Sequence, residues 1–253
     1  EIELSKLLKS ADICINLIGI LFEKKNNTFK NIHKNFPDVL SKLCLENKVD
    51  QLVHLSALGI DKASDSLYAK SKLDGENLIK KNFPKAVLLR PSIVYSVDDN
   101  FTTNFMRLLS YLPVFPLYYS GQTKFCPIHV SDMTEIIFQV VKKKIYSQKI
   151  ECIGPDVISF KEIMQKLLSS IKKKRLLIPT PLIIGNITAN LMEIFMPNPL
   201  ITRDQLKLLK YDNIASGECK TNFDFEIPAK LKFDEEINKY SYMWRESGQF
   251  SKN

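Results

Sequence analysis

Three linked segments decide how this chain folds: Gln51-Leu-Val-His-Leu-Ser56-Ala57, Tyr68-Ala-Lys-Ser-Lys72-Leu-Asp-Gly75-Glu-Asn-Leu-Ile79 and Ala86-Val-Leu-Leu-Arg90-Pro91-Ser92-Ile-Val-Tyr95. The first and third are short apolar runs closed by small, polar or proline residues, and they read as buried strands. The second alternates apolar and charged residues at helical spacing. A strand, a helix and a strand of these lengths form a crossover unit of a parallel sheet. On the helix, Tyr68 and Lys72 are four residues apart and share a face. An ammonium beside a phenol favours the phenolate and is expected to lower the tyrosine pKa. Such a tyrosine can exchange a proton near neutral pH.

Upstream, Ala11-Asp-Ile-Cys-Ile-Asn16-Leu-Ile-Gly19 reads as another buried strand. Residues 29–48 place Ile32, Phe36, Val39, Leu40 and Leu43 at helical spacing, and Pro37 marks a first turn or a kink. The expected fold class is therefore α/β, a Rossmann-like, doubly wound parallel sheet with a smaller, mostly helical C-terminal part. Residues 1–95 form the expected sheet domain. Residues 96–253 form the remainder, interleaved with that sheet. In that remainder a helix is expected over 98–110, and one N-capped by Ser131 or Asp132 runs to Lys142. Ser159-x-x-Glu162 is a capping-box pattern. Further helices are expected over 181–195 and 202–209.

The 253 residues, 45% hydrophobic and 25% charged, suffice for one large domain or two merged ones. The net charge of +8 points to anionic surroundings. No zinc-type spacing or basic–aromatic repeat is visible, so nucleic-acid binding is not expected. His33 and His129 lack metal-type partners at suitable spacing, no metal is expected, and His54 reads as a satisfied core residue. Five scattered cysteines without a Cys-x-x-Cys pair suggest free thiols in a reducing compartment. No signal peptide or transmembrane helix is expected: the most apolar stretch, 176–196, is broken by Pro179, Pro181, Asn186, Asn190 and Glu193. Lys172-Lys-Lys-Arg175, just before it, reads as a solvated helix end or as a contact for anionic lipid.

The eight glycines never make a G-x-G-x-x-G or G-x-x-G-x-x-G turn. A Rossmann site needs such a turn so that backbone can approach a pyrophosphate. The expectation is a chain that starts part-way into the sheet, without its first strands and Gly-rich loop. The strand at Ile13–Leu17 should then be an edge.

The serine-ended strand, the Tyr-x-x-x-Lys helix and the Arg-Pro strand together resemble the short-chain dehydrogenase/reductase superfamily. Within it the chain is similar to an atypical branch, the nucleotide-binding accessory subunits of respiratory complex I. The matching words are Ile15-Asn16-Leu17-Ile18-Gly19, His54-Leu-Ser56-Ala57, Phe83-Pro84, Leu89-Arg90-Pro91-Ser92, Asp98-Asp-Asn100-Phe101, Pro127-Ile-His-Val-Ser-Asp132, Gly154-Pro155, Thr202-x-Asp204-Gln205 and Asp212-Asn213. The resemblance implies a bound dinucleotide, NADP(H) in preference to NAD(H), lined by Asn16, Leu17, Ile18, Gly19, Ser56, Tyr68, Lys72, Pro91, Ser92 and Ile93. It implies Tyr68, Lys72 and Ser56 as the catalytic set, retained or vestigial, and Asn35 as a tie between neighbouring strands. Ala57 stands where active epimerases and dehydratases carry further hydroxyls, which favours an accessory subunit with little turnover. The alternative is a free NAD(P)-dependent oxidoreductase or sugar-nucleotide epimerase/dehydratase. The implied partners are complex I subunits and an anionic membrane surface. The implied location is cytoplasmic, peripheral on the inner side of the energy-conserving membrane, or the matrix side in a mitochondrion.

Overall fold

In the computed structural model, which describes residues 2–196 and 198–250, five strands make one sheet: β1 (Ile13–Asn16), β2 (Gln51–Leu55), β3 (Val87–Pro91), β4 (Lys149–Cys152) and β5 (Lys220–Thr221). They lie side by side in chain order and every pairing is parallel. Asn16 stands opposite His54, His54 opposite Leu88, and Arg90 opposite Glu151. Among the described residues β1 pairs only with β2, so it is the expected edge. Its outward residues Ile13 and Ile15, and Leu17 and Ile18 beyond it, stay exposed.

Strand β2 is buried almost end to end, as a central parallel strand covered on both faces must be. One face packs on α1 (Ile2–Leu8), α2 (Phe36–Glu46) and α3 (Leu67–Asn82): Leu52 and Leu88 share a core with Leu8, Leu40, Cys44 and Ile79. Each fully buried leucine there contributes about 1.5–3 kcal/mol. On the other face the Gln51 amide donates to the carbonyls of Val140, 3.3 Å, and Ile145, 2.7 Å, at the end of α4 (Val130–Lys142). Because strand side chains alternate, His54, Ser56 and Arg90 lie on the same face as Leu52 and Leu88, under α3.

Helix α3 starts where the Ser66 hydroxyl accepts from the Ala69 N–H, 3.2 Å, and its last turn carries Lys80 and Lys81, which suit the carbonyl end. Before α2 the chain makes a π-helical stretch, Lys30–Asn35, with the Phe36 N–H reaching back to the Asn31 carbonyl. The cause is Pro37, which has no N–H to offer the His33 carbonyl four residues earlier. Gly75 of α3 lies against that carbonyl, where a Cβ would fall 1.9 Å from the oxygen. Asn35, expected to tie strands together, instead faces solvent and donates to Asn31, 3.2 Å. The inward position in the widened turn belongs to His33.

By contacts the chain forms two compact units. One comprises the residues up to Pro91 with Thr134–Cys152 and Ala215–Ile227; the other comprises Ser92–Met133, Ile153–Ile214 and the residues from Pro228. In the second unit the helices Thr102–Tyr111, Phe160–Ser170 and Phe233–Tyr240 pack around Tyr95, Met106, Phe160, Leu167, Phe233 and Trp244, while Leu182–Phe195 and Arg203–Leu208 meet at Tyr118, Ala189 and Leu206. Its first helix begins later than expected because Asp99 accepts from the N–H groups of Ser96, Phe101 and Thr103 and so sits outside it. Asp132 lies inside the first turn of α4 and accepts from the backbone of Lys230 and Leu231 instead of capping. The boxes at Ser159–Glu162 and Thr202–Gln205 close in both directions. Arg175 is not merely solvated: it donates to the carbonyls of Leu109, 3.0 Å, and Ser110, 2.9 Å, at the end of Thr102–Tyr111.

Substituting Gly75→Ala should cost about 1–3 kcal/mol, since α3 must retreat from the His33 carbonyl. Urea unfolding of this variant beside an exposed control such as Lys80→Ala measures it; equal stabilities would refute the close contact.

Candidate functional site

Helix α3 carries Lys72 over the carboxyl ends of β1 and β2, the crevice where open α/β sheets hold ligands. The side chain is 5% exposed. Its ammonium donates to the Leu55 carbonyl, 3.2 Å, and no other acceptor meets it among the described residues. It stands 3.1 Å from where a Gly19 Cβ would be, so a side chain there would crowd the ammonium. Burial lowers the Lys72 pKa to about 8, while the charge of Glu76 opposes the shift. A buried cation with unused donors is costly unless something polar completes its shell.

Two more unused groups lie on the same face. The Asn16 amide donates to His54 Nδ1, 2.9 Å, while its oxygen accepts from the Ile18 N–H, 3.1 Å. His54 must then carry its proton on Nε2, and that buried N–H meets no acceptor. The expected satisfied core histidine is therefore satisfied on one nitrogen only. The hydroxyl of Ser56 is likewise buried without a partner. The Ser56 N–H is bound to the Leu89 carbonyl, 2.7 Å, which holds the residue at the strand end.

His33 joins the end of β1 to α3. The Ile20 N–H donates to its Nε2, 3.0 Å, so the proton sits on Nδ1 and is given to Ser71 Oγ, 2.9 Å. Ser71 in turn donates to the Tyr68 carbonyl, 2.8 Å. Burial, aided by the nearby Lys72 charge, lowers His33 to about 3, and the same two causes lower His54 to about 3. Both stay neutral at physiological pH.

Tyr68 packs edge-on against Phe29, ring centroids 5.9 Å apart, and against His33, 5.3 Å. Burial raises its pKa to about 12. The expected lowering by Lys72 does not occur. The phenol loses its water among aromatic rings, while the ammonium turns to the Leu55 carbonyl and Gly19.

Below Lys72, the fully buried Arg90 guanidinium forks onto Glu76, with bonds of 2.8 and 2.6 Å, and onto Asp61, one bond of 3.1 Å and one shorter. Burial presses Arg90 towards neutrality, but its bonds to Glu76 and Asp61 outweigh that and raise its pKa above the ordinary arginine value. Removing one partner of such a pair typically costs about 3–5 kcal/mol. Sequence reading passed over Arg90, Glu76, Asp61 and His33 as site-building residues. The signal was present in Glu76, four residues beyond Lys72 on the same face.

The remaining expected residues divide. Leu17 and Ile18 continue β1 towards Gly19 with exposed side chains. The Pro91 carbonyl accepts from the Leu58 N–H, 2.9 Å. Ser92 and Ile93 fall in the second unit. There the Ser92 hydroxyl donates to Asn213 Oδ1, 2.6 Å, and the Ile93 carbonyl accepts from the Ile128 N–H, 2.9 Å. Among the described residues no group of three His, Cys, Asp or Glu side chains could hold a metal. No described helix is long and apolar enough to cross a membrane.

Lys72, the Nε2–H of His54, the Ser56 hydroxyl and the open backbone at Gly19 suit a hydroxyl-rich, polar ligand. They fit the ribose end of a dinucleotide, whereas this chain carries no Gly-rich turn for the pyrophosphate. The comparisons agree with the fold. Residues 61–154 match the family described as RmlD substrate binding domain. A dTDP-4-dehydrorhamnose reductase ortholog from Clostridium acetobutylicum superposes with a TM-score of 0.63 at 16% identity, over 94% of this chain and 84% of that one. UDP-glucuronic acid 4-epimerase from Bacillus cereus, solved with UDP-glucuronic acid and NAD, gives 0.66 at 19%, over 94% and 78%. The chain thus has the Rossmann-like fold of these dehydrogenase/reductase and epimerase structures.

The chain is similar to NADH dehydrogenase [ubiquinone] 1 alpha subcomplex subunit 9 of Mus musculus, 24% identical over 96% of this chain and 66% of the relative. It is similar also to the NADH-ubiquinone oxidoreductase 40 kDa subunit of Neurospora crassa, 24% identical over 88% and 59%. It spans about two thirds of the length of the mouse relative and less of the fungal one.

The two neutral histidines set a pH dependence. Their folded pKa lies below the unfolded value of 6.5, so between about pH 3 and 6.5 the unfolded chain binds protons that the folded one refuses. Stability should fall as pH drops through that window, by up to about 1.4 kcal/mol per pH unit for each histidine. Denaturant midpoints from pH 7 to 4.5 should show a shallower slope in His54→Asn than in the parent, and parallel curves would refute the buried neutral state.

Proposed function

We propose that this chain is an NAD(P)(H)-holding accessory subunit of respiratory complex I with little turnover of its own. The similarity along nearly its whole length to complex I subunits carries the reading. The state of the Tyr-x-x-x-Lys pair supports it. A phenol at about 12 is a poor proton carrier at neutral pH, and Lys72 serves as a donor to a ligand better than as a tuner of Tyr68.

When bound, the dinucleotide supplies hydride chemistry. The chain's own part is to receive it. Lys72 donates to a ribose hydroxyl, Gly19 leaves room for the ammonium, and Ser56 with the His54 Nε2–H supplies further polar contacts. Phe29, His33 and Tyr68 close the site against water. We assign NADP(H) as the ligand in preference to NAD(H), following the family resemblance.

We propose further that the subunit lies on the inner side of the energy-conserving membrane, the matrix side in a mitochondrion, and a helix of the second unit supports this. On Leu182–Phe195 the residues Ile183, Ile187, Leu191 and Ile194 follow one another at helical spacing, and with Ile184 and Phe195 they remain exposed. Lys172 and Lys174 are exposed shortly upstream. An apolar stripe with nearby lysines suits a helix lying in an anionic lipid interface. At 14 residues, about 21 Å, it is too short to span a bilayer.

Lys72→Ala should weaken NADPH binding at least tenfold by calorimetry while leaving the fold intact; unchanged affinity would remove the lysine from the site. The native protein should migrate with complex I on native gels and release NADPH on denaturation. A free enzyme turning over a nucleotide sugar would replace the accessory reading. Flotation with anionic vesicles should be lost in Ile187→Glu and weakened by salt, and equal flotation with neutral vesicles would refute the electrostatic part.

A further inference from the structure

We propose that Cys14 and Cys44 are a redox-active thiol pair that closes into a reversible disulfide between the edge strand β1 and helix α2. Cys44 lies in the last turn of α2 and is fully buried, while Cys14 sits on β1 and is partly exposed. Both belong to one apolar cluster with Leu40, Val49 and Leu52. Backbone bonds draw their segments together. The Val49 N–H donates to the Cys44 carbonyl, 2.9 Å, and the N–H groups of Asp50, 2.9 Å, and Gln51, 3.2 Å, both donate to the Asp12 carbonyl. The end of α2 is thereby tied to the residue just before β1. Cys14 also stands opposite Leu52, so its side chain points to the α2 face.

Interaction between the two thiols lowers the Cys14 pKa and raises that of Cys44, with burial adding to the rise. Cys14 is thus the thiol that ionises first and can be reached, and Cys44 is the buried resolving partner.

The oxidant is a low-molecular-weight disulfide. The Cys14 thiolate attacks it, one small thiol leaves as a thiolate and takes up a proton, and Cys14 carries a mixed disulfide. Cys44 loses its proton and attacks the Cys14 sulfur, and the second small thiol leaves. Two protein thiols are oxidised to one disulfide while one small disulfide is reduced to two thiols. The product joins β1, supported on one side only, to α2, immediately before Asn16 and Gly19.

The test is a glutathione redox titration of the full chain, with acid quench, alkylation and peptide mass spectrometry. The expected result is a Cys14–Cys44 linked peptide, loss of the two thiol hydrogens from the intact mass, and reversal by dithiothreitol. A rise in the thermal midpoint should accompany it, because the link closes a loop of about 30 residues. In Cys44→Ser, glutathione should remain trapped on Cys14. In Cys14→Ser, which alters the partly exposed member and keeps the core thiol, Cys44 should resist glutathione. Alkylation of both residues across the oxidising range would overturn the proposal. So would a stable glutathione adduct on Cys14 in the parent chain, or modification of Cys44 in Cys14→Ser.

Discussion

A guanidinium with no route to solvent must have its charge answered where it stands, and Arg90 is answered twice. Glu76 reaches it from α3 and Asp61 from the loop that follows β2. Because the fork is planar and directional, the pair fixes the rotation and height of α3 against β3 more narrowly than apolar packing could. One turn before Glu76, the same helix face delivers Lys72 to the end of β2, and one further turn back lies Tyr68. The position of the site is thus set by an ion pair that takes no part in its chemistry.

The second constraint is steric. Pro37 withholds an N–H from the His33 carbonyl, the helix widens, and the bare backbone of Gly75 comes to rest against that oxygen. The widened turn aims the His33 ring inward, where it accepts from Ile20 and donates to Ser71. π-Helical turns often occur at functional sites for this reason, since they redirect a side chain that a regular helix would place elsewhere. Here the redirected side chain links the end of the edge strand to the helix carrying the Tyr-x-x-x-Lys pair.

The site is cationic and short of acceptors. Lys72 is buried near histidines that burial and its own charge keep neutral, and the one carboxylate that acts on it, Glu76, is bonded to Arg90. The natural complement is a ligand rich in hydroxyl or anionic oxygen. Burial raises the pKa of the Tyr68 phenol to about 12, and the Lys72 charge does not offset that rise.

The sequence by itself determined the parallel α/β class, the placement of Tyr68 and Lys72 on one helix face, the edge strand at Ile13, and the capping box at Ser159. All of these are local patterns, written in periodicity and in residue types whose preferences act over a few positions. The tyrosine's protonation, the half-satisfied state of His54, the inward turn of His33 in place of Asn35, and the burial of Arg90 between two carboxylates were decided by tertiary structure. Each depends on groups distant in the chain, Phe29 beside Tyr68, Asn16 beside His54, Gly75 against His33 and Asp61 against Arg90. Desolvation and charge are set by what surrounds a side chain in space, and spacing along the chain carries no record of that.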